Sequence, residues 1–354
     1  MSKERNFYKD LIRPALLKLD PETAHNCTRA ILGVAEKSRL IRTALIKMFA
    51  FEDEALKVEL WGRVFKNPVG LAAGFDKNAE VVLAMSSLGF GHIEVGAVTK
   101  FPQEGNPRPR IFRLAEDGAT INRMGMNNQG AEKIATNLKK SLRERTVPIG
   151  INIASSTVAK EPIVDYVETL KKVYPLADYF SLNVSCPNVE GHRNQQEKIF
   201  FENLANQIVI TRKMLSETQS HRPILVKISP DLSWEEIDDI LEVVQTKGLD
   251  GIIATNTTLR RDGLTSQLKN ETGGLSGRPL RQRSTDVIAY IHKQLPKLPI
   301  IGVGGIETAE DAWEKLQAGA SLVQLFTGMI YEGPFIVKKI KRDLVNIMER
   351  RQHE

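Results

Sequence analysis

Cysteine is scarce in this 354-residue chain, which carries only Cys27 and Cys186, far apart and without metal-binding spacing. So few thiols exclude a disulfide-stapled framework and point to a reducing compartment. The six histidines, at positions 25, 92, 192, 221, 292 and 353, supply neither an HxxxH pair nor a Cys/His set. No metal site is therefore expected, and no Ser-His-Asp arrangement can be assembled. No apolar run approaches the roughly 20 residues needed to cross a bilayer, and the first residues lack the apolar core of a secretion signal. The chain is not expected to be an integral membrane protein. An arginine-rich run interleaved with aromatics is also missing. With 49 basic against 43 acidic residues, the net charge of +6 suits an anionic small ligand or an acidic membrane surface, not nucleic acid. Extended linkers and low-complexity tracts are absent, so the domains should pack together.

The length suits one α/β barrel with an appendage. Residues 1 to about 50 read as helix: Phe7, Tyr8, Leu11, Ile12, Ala15, Leu16 and Leu19 recur at three- and four-residue steps. Asp20 and Pro21 form an N-cap and first-turn pair opening a second helix, through Ala24, Thr28, Ile31 and Leu32. Farther on, Leu40, Ile41, Ala44, Leu45, Met48 and Phe49 are interspersed with Arg39, Arg42 and Lys47. That apolar stripe with basic edges suits a membrane surface or a helix packed on a domain. From Val69 the pattern changes to strand, then helix, repeated. Strand candidates start at Val69, His92, Pro148, Asp178, Pro223, Gly251, Pro299 and Ala320, with helices such as Ala79 to Leu88, Glu235 to Thr246 and Ala309 to Ala318. Eight short apolar strands alternating with helices predict a (β/α)8 TIM barrel over residues 51–354, behind a small helical N-terminal domain over 1–50.

Function on such a barrel lies just after each strand. Lys77 follows the first. A loop of about 30 residues after the second holds Asn122, Arg123, Asn127 and Asn128, and loops that long are usually functional. Asn152 ends the third strand and Asn183 the fourth, whose continuation, DYFSLNVSCPN, brings in Cys186 and Asn188. Lys227 lies on the fifth; Thr255, Asn256 and Thr257 end the sixth; Gly302, Gly304, Gly305, Thr327 and Gly328 close the last two. Glycines there let backbone N–H groups approach a phosphate. Several asparagines can read a planar ring with both donors and acceptors. Two lysines inside a barrel mouth ask for a carboxylate or an electron-rich ring. Each feature also has a plainer reading: a buried loop cysteine, a tight turn, snorkelling lysines. On residues alone, an enzyme holding a phosphate and a planar or electron-rich ring competes with a phosphate-binding lyase or isomerase using Lys77 or Lys227 as a Schiff base, and with a non-enzymatic scaffold recruited through its N-terminal helices.

Nearly the whole chain resembles the dihydroorotate dehydrogenases, FMN enzymes of pyrimidine synthesis. The resemblance rests on LAAGFDKNAE at 71, the INRMGMNN loop, LNVSCPN, VKISPDL at 226, IATNTT at 253, TGGLSGRPL at 272 and IIGVGGI at 300. FYKDLIRPALLKLDPETAH and TGGLSGRPL resemble class 2, the membrane-associated, quinone-reducing branch. The resemblance implies FMN contacts at Ala73, Gly74, Lys77, Ala97, Asn152, Asn183, Lys227, Thr255, Gly277, Gly305, Phe326 and Thr327. It implies dihydroorotate, and the orotate formed from it, held by Lys77, Asn122, Arg123, Met124, Gly125, Met126, Asn183, Asn188, Asn256 and Thr257, with Cys186 as the base. His25 and Arg113 match residues at the quinone tunnel, and residues 1–50 become a quinone-access domain lying peripherally on the cytoplasmic side of the cell membrane. Three positions depart from class 2: Cys186 where Ser is usual and class 1 has Cys, Met126 for Phe, and Phe326 for Tyr. A membrane quinone is the expected acceptor; fumarate or NAD, as in soluble class 1, is the alternative.

Overall fold

The computed structural model describes residues 8–184 and 198–352; Cys186 and Asn188 lie outside the described residues. After a π-helical turn at Tyr8–Ile12, the N-terminal segment forms α1 (Arg13–Lys18), α2 (Pro21–Lys37) and α3 (Arg39–Phe49). The break before α2 falls where Asp20 and Pro21 place it: the Asp20 carboxylate accepts from Thr23 N at 2.9 Å. Ser38 caps α3 in the same way, accepting from Ile41 N at 3.3 Å.

A hairpin of β1 (Val58–Leu60) and β2 (Arg63–Phe65) follows. The fully buried ring of Phe65 packs edge-on against His92 at 5.6 Å, beneath the barrel. The barrel strands are β3 (Val69–Leu71), β4 (His92–Val98), β7 (Ile149–Ile153), β8 (Tyr179–Asn183), β9 (Ile224–Ile228), β10 (Gly251–Ala254), β12 (Ile300–Val303) and β13 (Leu322–Leu325). They pair in parallel in that order, and β13 returns to β3 to close the barrel. All eight expected strands are present. Most of their residues are buried, because a parallel sheet has helices on one side and the barrel interior on the other. The flanking helices are α4 (Val82–Ser86), α5 (Gly130–Ser141), α6 (Pro162–Val173), α7 (Lys198–Ser216), α8 (Trp234–Lys247), α9 (Arg281–Gln294), α10 (Ala309–Gln317), α11 (Thr327–Glu332) and α12 (Ile336–Gln352).

Two features differ from the sequence reading. The long connection after β4 carries a hairpin, β5 (Ile111–Leu114) and β6 (Ala119–Asn122), which β11 (Gly274–Gly277) extends into a three-stranded antiparallel sheet. Leu114, Ala119, Ile121, Leu264 and Leu275 give that sheet its own small core. The helix expected over Ala79 to Leu88 is only α4, because the buried Asp76 carboxylate accepts from the N–H groups of Glu80 and Val81, both at 2.8 Å, and holds a loop ahead of it.

The N-terminal helices are pinned to the barrel by polar contacts. Arg110 donates to Glu22 at 2.8 and 3.1 Å, Glu36 accepts from Ala84 N at 2.8 Å, and Tyr8 donates to the Ile330 carbonyl at 2.7 Å. Burial, with the Asp76 carboxylate adding to it, pushes Glu36 up to about 7. A carboxyl raised in the folded state binds its proton more tightly there, so stability falls as pH rises from the ordinary value to about 7. Glu36→Gln keeps the acceptor and removes the charge. It is expected to raise the melting temperature by a few degrees above about pH 8 and to leave it unchanged below about pH 4, where both forms are neutral. Equal shifts at both ends would show that the charge is not responsible.

Candidate active site

A cavity of about 620 Å³ occupies the C-terminal mouth of the barrel and continues beneath α1–α3. Each strand contributes to it as its backbone leaves the ladder. Ala73, Gly74 and Lys77 follow β3, Ala97 lies on β4, Asn152 on β7, Asn183 at the end of β8 and Lys227 on β9. Thr255, Asn256 and Thr257 follow β10, Gly277 ends β11, Gly304 and Gly305 follow β12, and Phe326 and Thr327 follow β13. Strand β5 supplies Arg113, β6 supplies Asn122, and the loop after β6 supplies Met124, Gly125 and Met126.

Two sides of the cavity have distinct chemistry. On one, Gly277 and Gly305 have φ of 102° and 70°. A Cβ at Gly305 would lie 2.5 Å from Arg281 Cβ, and one at Gly277 2.3 Å from the Gly118 carbonyl. Only glycine lets the backbone fold this closely, which leaves N–H groups available to an anion. Thr327 and Ser276 share a hydroxyl hydrogen bond of 2.9 Å beside them. On the other side, Asn256 donates to Asn183 Oδ1 at 3.3 Å, Asn122 Nδ2 lies 3.5 Å from the Gly274 carbonyl, and Lys77 donates to Asn127 Oδ1. Between them, Asn152 donates to Glu94 at 3.1 Å while its own Oδ1 is buried with no protein partner. An orphaned acceptor on a cavity-lining residue suits a planar ring with N–H donors.

The apolar arm of the cavity runs past His25, Leu32, Leu45, Phe49, Met85 and Leu88. His25 stacks edge-on against Phe75 at 5.1 Å, and Phe75 against Phe326 at 6.0 Å. Burial, reinforced by the Arg29 and Lys77 charges, pushes His25 down to about 4, so it is neutral near pH 7. Arg113 caps the end of α1, donating to the carbonyls of Leu16 at 2.8 Å and Leu17 at 3.4 Å and to that of Leu19.

The structure therefore gathers His25 and Arg113 with Lys77, Lys227, Asn122, Asn152, Asn183, Asn256, Gly277, Gly304 and Gly305 around one space. Asn127 and Asn128 line a smaller neighbouring pocket instead, and Gly302 lies within β12. Arg123 lines neither pocket. Its guanidinium points away, bonded to Glu271 at 2.7 Å and lying over the Phe112 ring at 4.4 Å, because it follows Asn122 at the end of a strand and faces the opposite side. The sequence reading missed the floor beneath the cavity, where Ser181 and Gln324, both fully buried, donate to the fully buried Glu94. The available signal was a carboxylate inside the apolar run HIEVGAV and an amide inside ASLVQLF.

The fold and its polar mouth define a (β/α)8-barrel enzyme, whose glycine turns and amide-lined floor suit a phosphate-bearing ligand and a planar ring. The family model described as Dihydroorotate dehydrogenase matches residues 55–348. The chain is 48% identical to the dihydroorotate dehydrogenase (quinone) of Synechococcus sp. (strain JA-3-3Ab), covering 96% of this chain and 92% of that one. It is equally identical to that of Christiangramia forsetii, covering 96% and 98%. The ligand-free DHODH of Eimeria tenella superposes with a TM-score of 0.86 at 39% identity, covering 94% and 96%, and its complex with ferulenol with a TM-score of 0.84 at 38%, covering 94% and 93%. This chain belongs to the dihydroorotate dehydrogenase family.

Proposed function

We propose that the protein oxidises (S)-dihydroorotate to orotate in de novo pyrimidine synthesis, using FMN in the barrel mouth and passing the electrons to a membrane quinone. The observation that carries this reading is the continuity of one cavity from the glycine cradle to the apolar arm under α1–α3. When bound, FMN supplies the ring that accepts hydride from the substrate. Backbone N–H groups around Gly277, Gly304 and Gly305 would hold its phosphate, the Asn152 amide would bond its ring, and Lys227 would place a positive charge beside it. Asn122, Asn256 and Thr257 hold the pyrimidine ring, Lys77 its carboxylate, and Cys186 takes the proton. His25, neutral and half-buried, and Arg113, held by the carbonyls at the end of α1, are polar groups on the apolar arm and serve the quinone carbonyls.

Among the described residues no helix is long and apolar enough to cross a membrane. Leu40 is 82% exposed and Ile31 72%, with Val34 and Met48 also open and Lys37, Arg39 and Lys47 around them. That apolar face with basic edges docks on the cytoplasmic membrane surface, peripherally, so that quinone enters beneath it.

Anaerobic mixing tests the whole reading. Dihydroorotate is expected to bleach a yellow protein, a long-chain quinone to restore the colour, and fumarate and NAD to have no effect. Reoxidation by fumarate or NAD alone would move the enzyme to a soluble acceptor, and a colourless protein would remove FMN. In the same assay, Asn122→Ala is expected to weaken orotate roughly five- to hundredfold without loss of colour, the effect of one lost buried hydrogen-bond partner. A folded but colourless variant would place Asn122 on the cofactor.

A further inference from the structure

The buried cluster on the barrel axis has no part yet in this reading. Glu94 is completely buried, and five groups converge on its carboxylate. Ser181 Oγ and Asn152 Nδ2 donate to Oε1 at 2.9 and 3.1 Å, and Lys227 Nζ lies 3.9 Å from the same oxygen. Gln324 Nε2 and the Tyr179 hydroxyl donate to Oε2 at 2.8 and 3.4 Å. Asn152, Lys227 and Gln324 also line the cavity. A carboxylate only accepts hydrogen bonds, so Asn152 turns its NH2 toward Glu94 and its oxygen is left buried without a protein partner. Apolar side chains fill the neighbouring barrel layer, from Leu225, Ile253, Ile301 and Leu322, so packing alone calls for no charge here.

We propose that Glu94 is a positioning residue that also sets the flavin's reduction potential. It fixes the Asn152 amide and the Lys227 ammonium against the cavity, and its negative charge offsets that of Lys227. The inference rests on the FMN reading above. Reduction adds negative charge to the bound ring, and fixed charges in a dry interior act on that ring with little screening. Lys227 alone would hold electrons on the flavin. The carboxylate behind it keeps the reduced cofactor a good donor to the acceptor.

The test is a redox titration of the yellow holoenzyme and of Glu94→Gln. Glutamine fits the same space, because Gln324 Oε1 is buried without a partner and can turn to accept from the new amide. The variant is expected to keep FMN and to raise the reduced-to-oxidised ratio at fixed poise by about tenfold, about 30 mV for a two-electron couple. Reduction by dihydroorotate should be no slower, while reoxidation by quinone slows. Tyr179→Phe removes a donor but no charge, and its potential is expected to stay at the wild-type value. In the double variant Glu94→Gln/Gln324→Glu the carboxylate moves one hydrogen bond away from the oxygen beside Lys227, and an intermediate potential is expected. Should Glu94→Gln fail to fold, the double variant carries the test, and a wild-type potential there overturns the proposal. So does an unchanged potential in yellow Glu94→Gln, or an equal shift in Tyr179→Phe. A wild-type protein without flavin would instead overturn the FMN reading.

Discussion

Replacing Cys186 by alanine is expected to leave a folded, yellow protein whose flavin is reduced by dihydroorotate about 10²–10⁴-fold more slowly, the usual contribution of a positioned base. The substrate must lose a proton from one ring carbon while hydride leaves its neighbour. A thiol of ordinary pKa near ~8.5 is a far better base than an unassisted hydroxyl. Cys186 lies outside the described residues; in the sequence it follows, by three positions, Asn183, which lines the cavity. Stopped-flow mixing without oxygen reads the flavin directly. Wild-type reduction rates in Cys186→Ala would take the thiol out of the reaction. Cys186→Ser is expected to fall between the two.

Lys227→Met is expected to cost about 3–5 kcal/mol, seen as lost urea resistance and lost FMN, because it strands the Glu94 carboxylate in the barrel interior. The pair is 3.9 Å apart, with the Lys227 side chain 7% exposed and that of Glu94 fully enclosed. Removing both charges is far less harmful than removing one, so Lys227→Met/Glu94→Gln should recover most of the lost stability while still holding FMN poorly. A double variant no more stable than Lys227→Met would show that the two side chains do not act as an energetic unit.

The barrel was legible because its strands are buried on both faces and read as short continuous apolar runs, as in PIGINIA and PILVKIS. The Asp20–Pro21 helix start was legible because capping is local chemistry. Strands β5 and β6 were not: each has four residues, and the partner that completes their sheet, β11, lies far along the chain in a glycine-rich stretch that reads as loop. The overlong helix at Ala79 has a similar cause, since the Asp76 loop competes with helix for the same N–H groups. Among the site residues, Lys77, Asn152, Asn183 and Lys227 could be found because polar groups at strand ends are conspicuous. Glu94 and Gln324 sit in mid-strand, where their meaning appears only once the sheet closes and brings β4 and β13 within hydrogen-bond distance.

The attachment of α1 has an evolutionary consequence. Arg113 grips this helix only by the carbonyl oxygens of Leu16, Leu17 and Leu19, while the side chains of Leu16 and Leu17 form part of the cavity wall. Every residue type carries the same carbonyl. Mutations at positions 16 and 17 therefore reshape the passage without loosening its mooring, and a lineage can retune the tail length or ring size it admits while inheriting the docking of the helix unchanged.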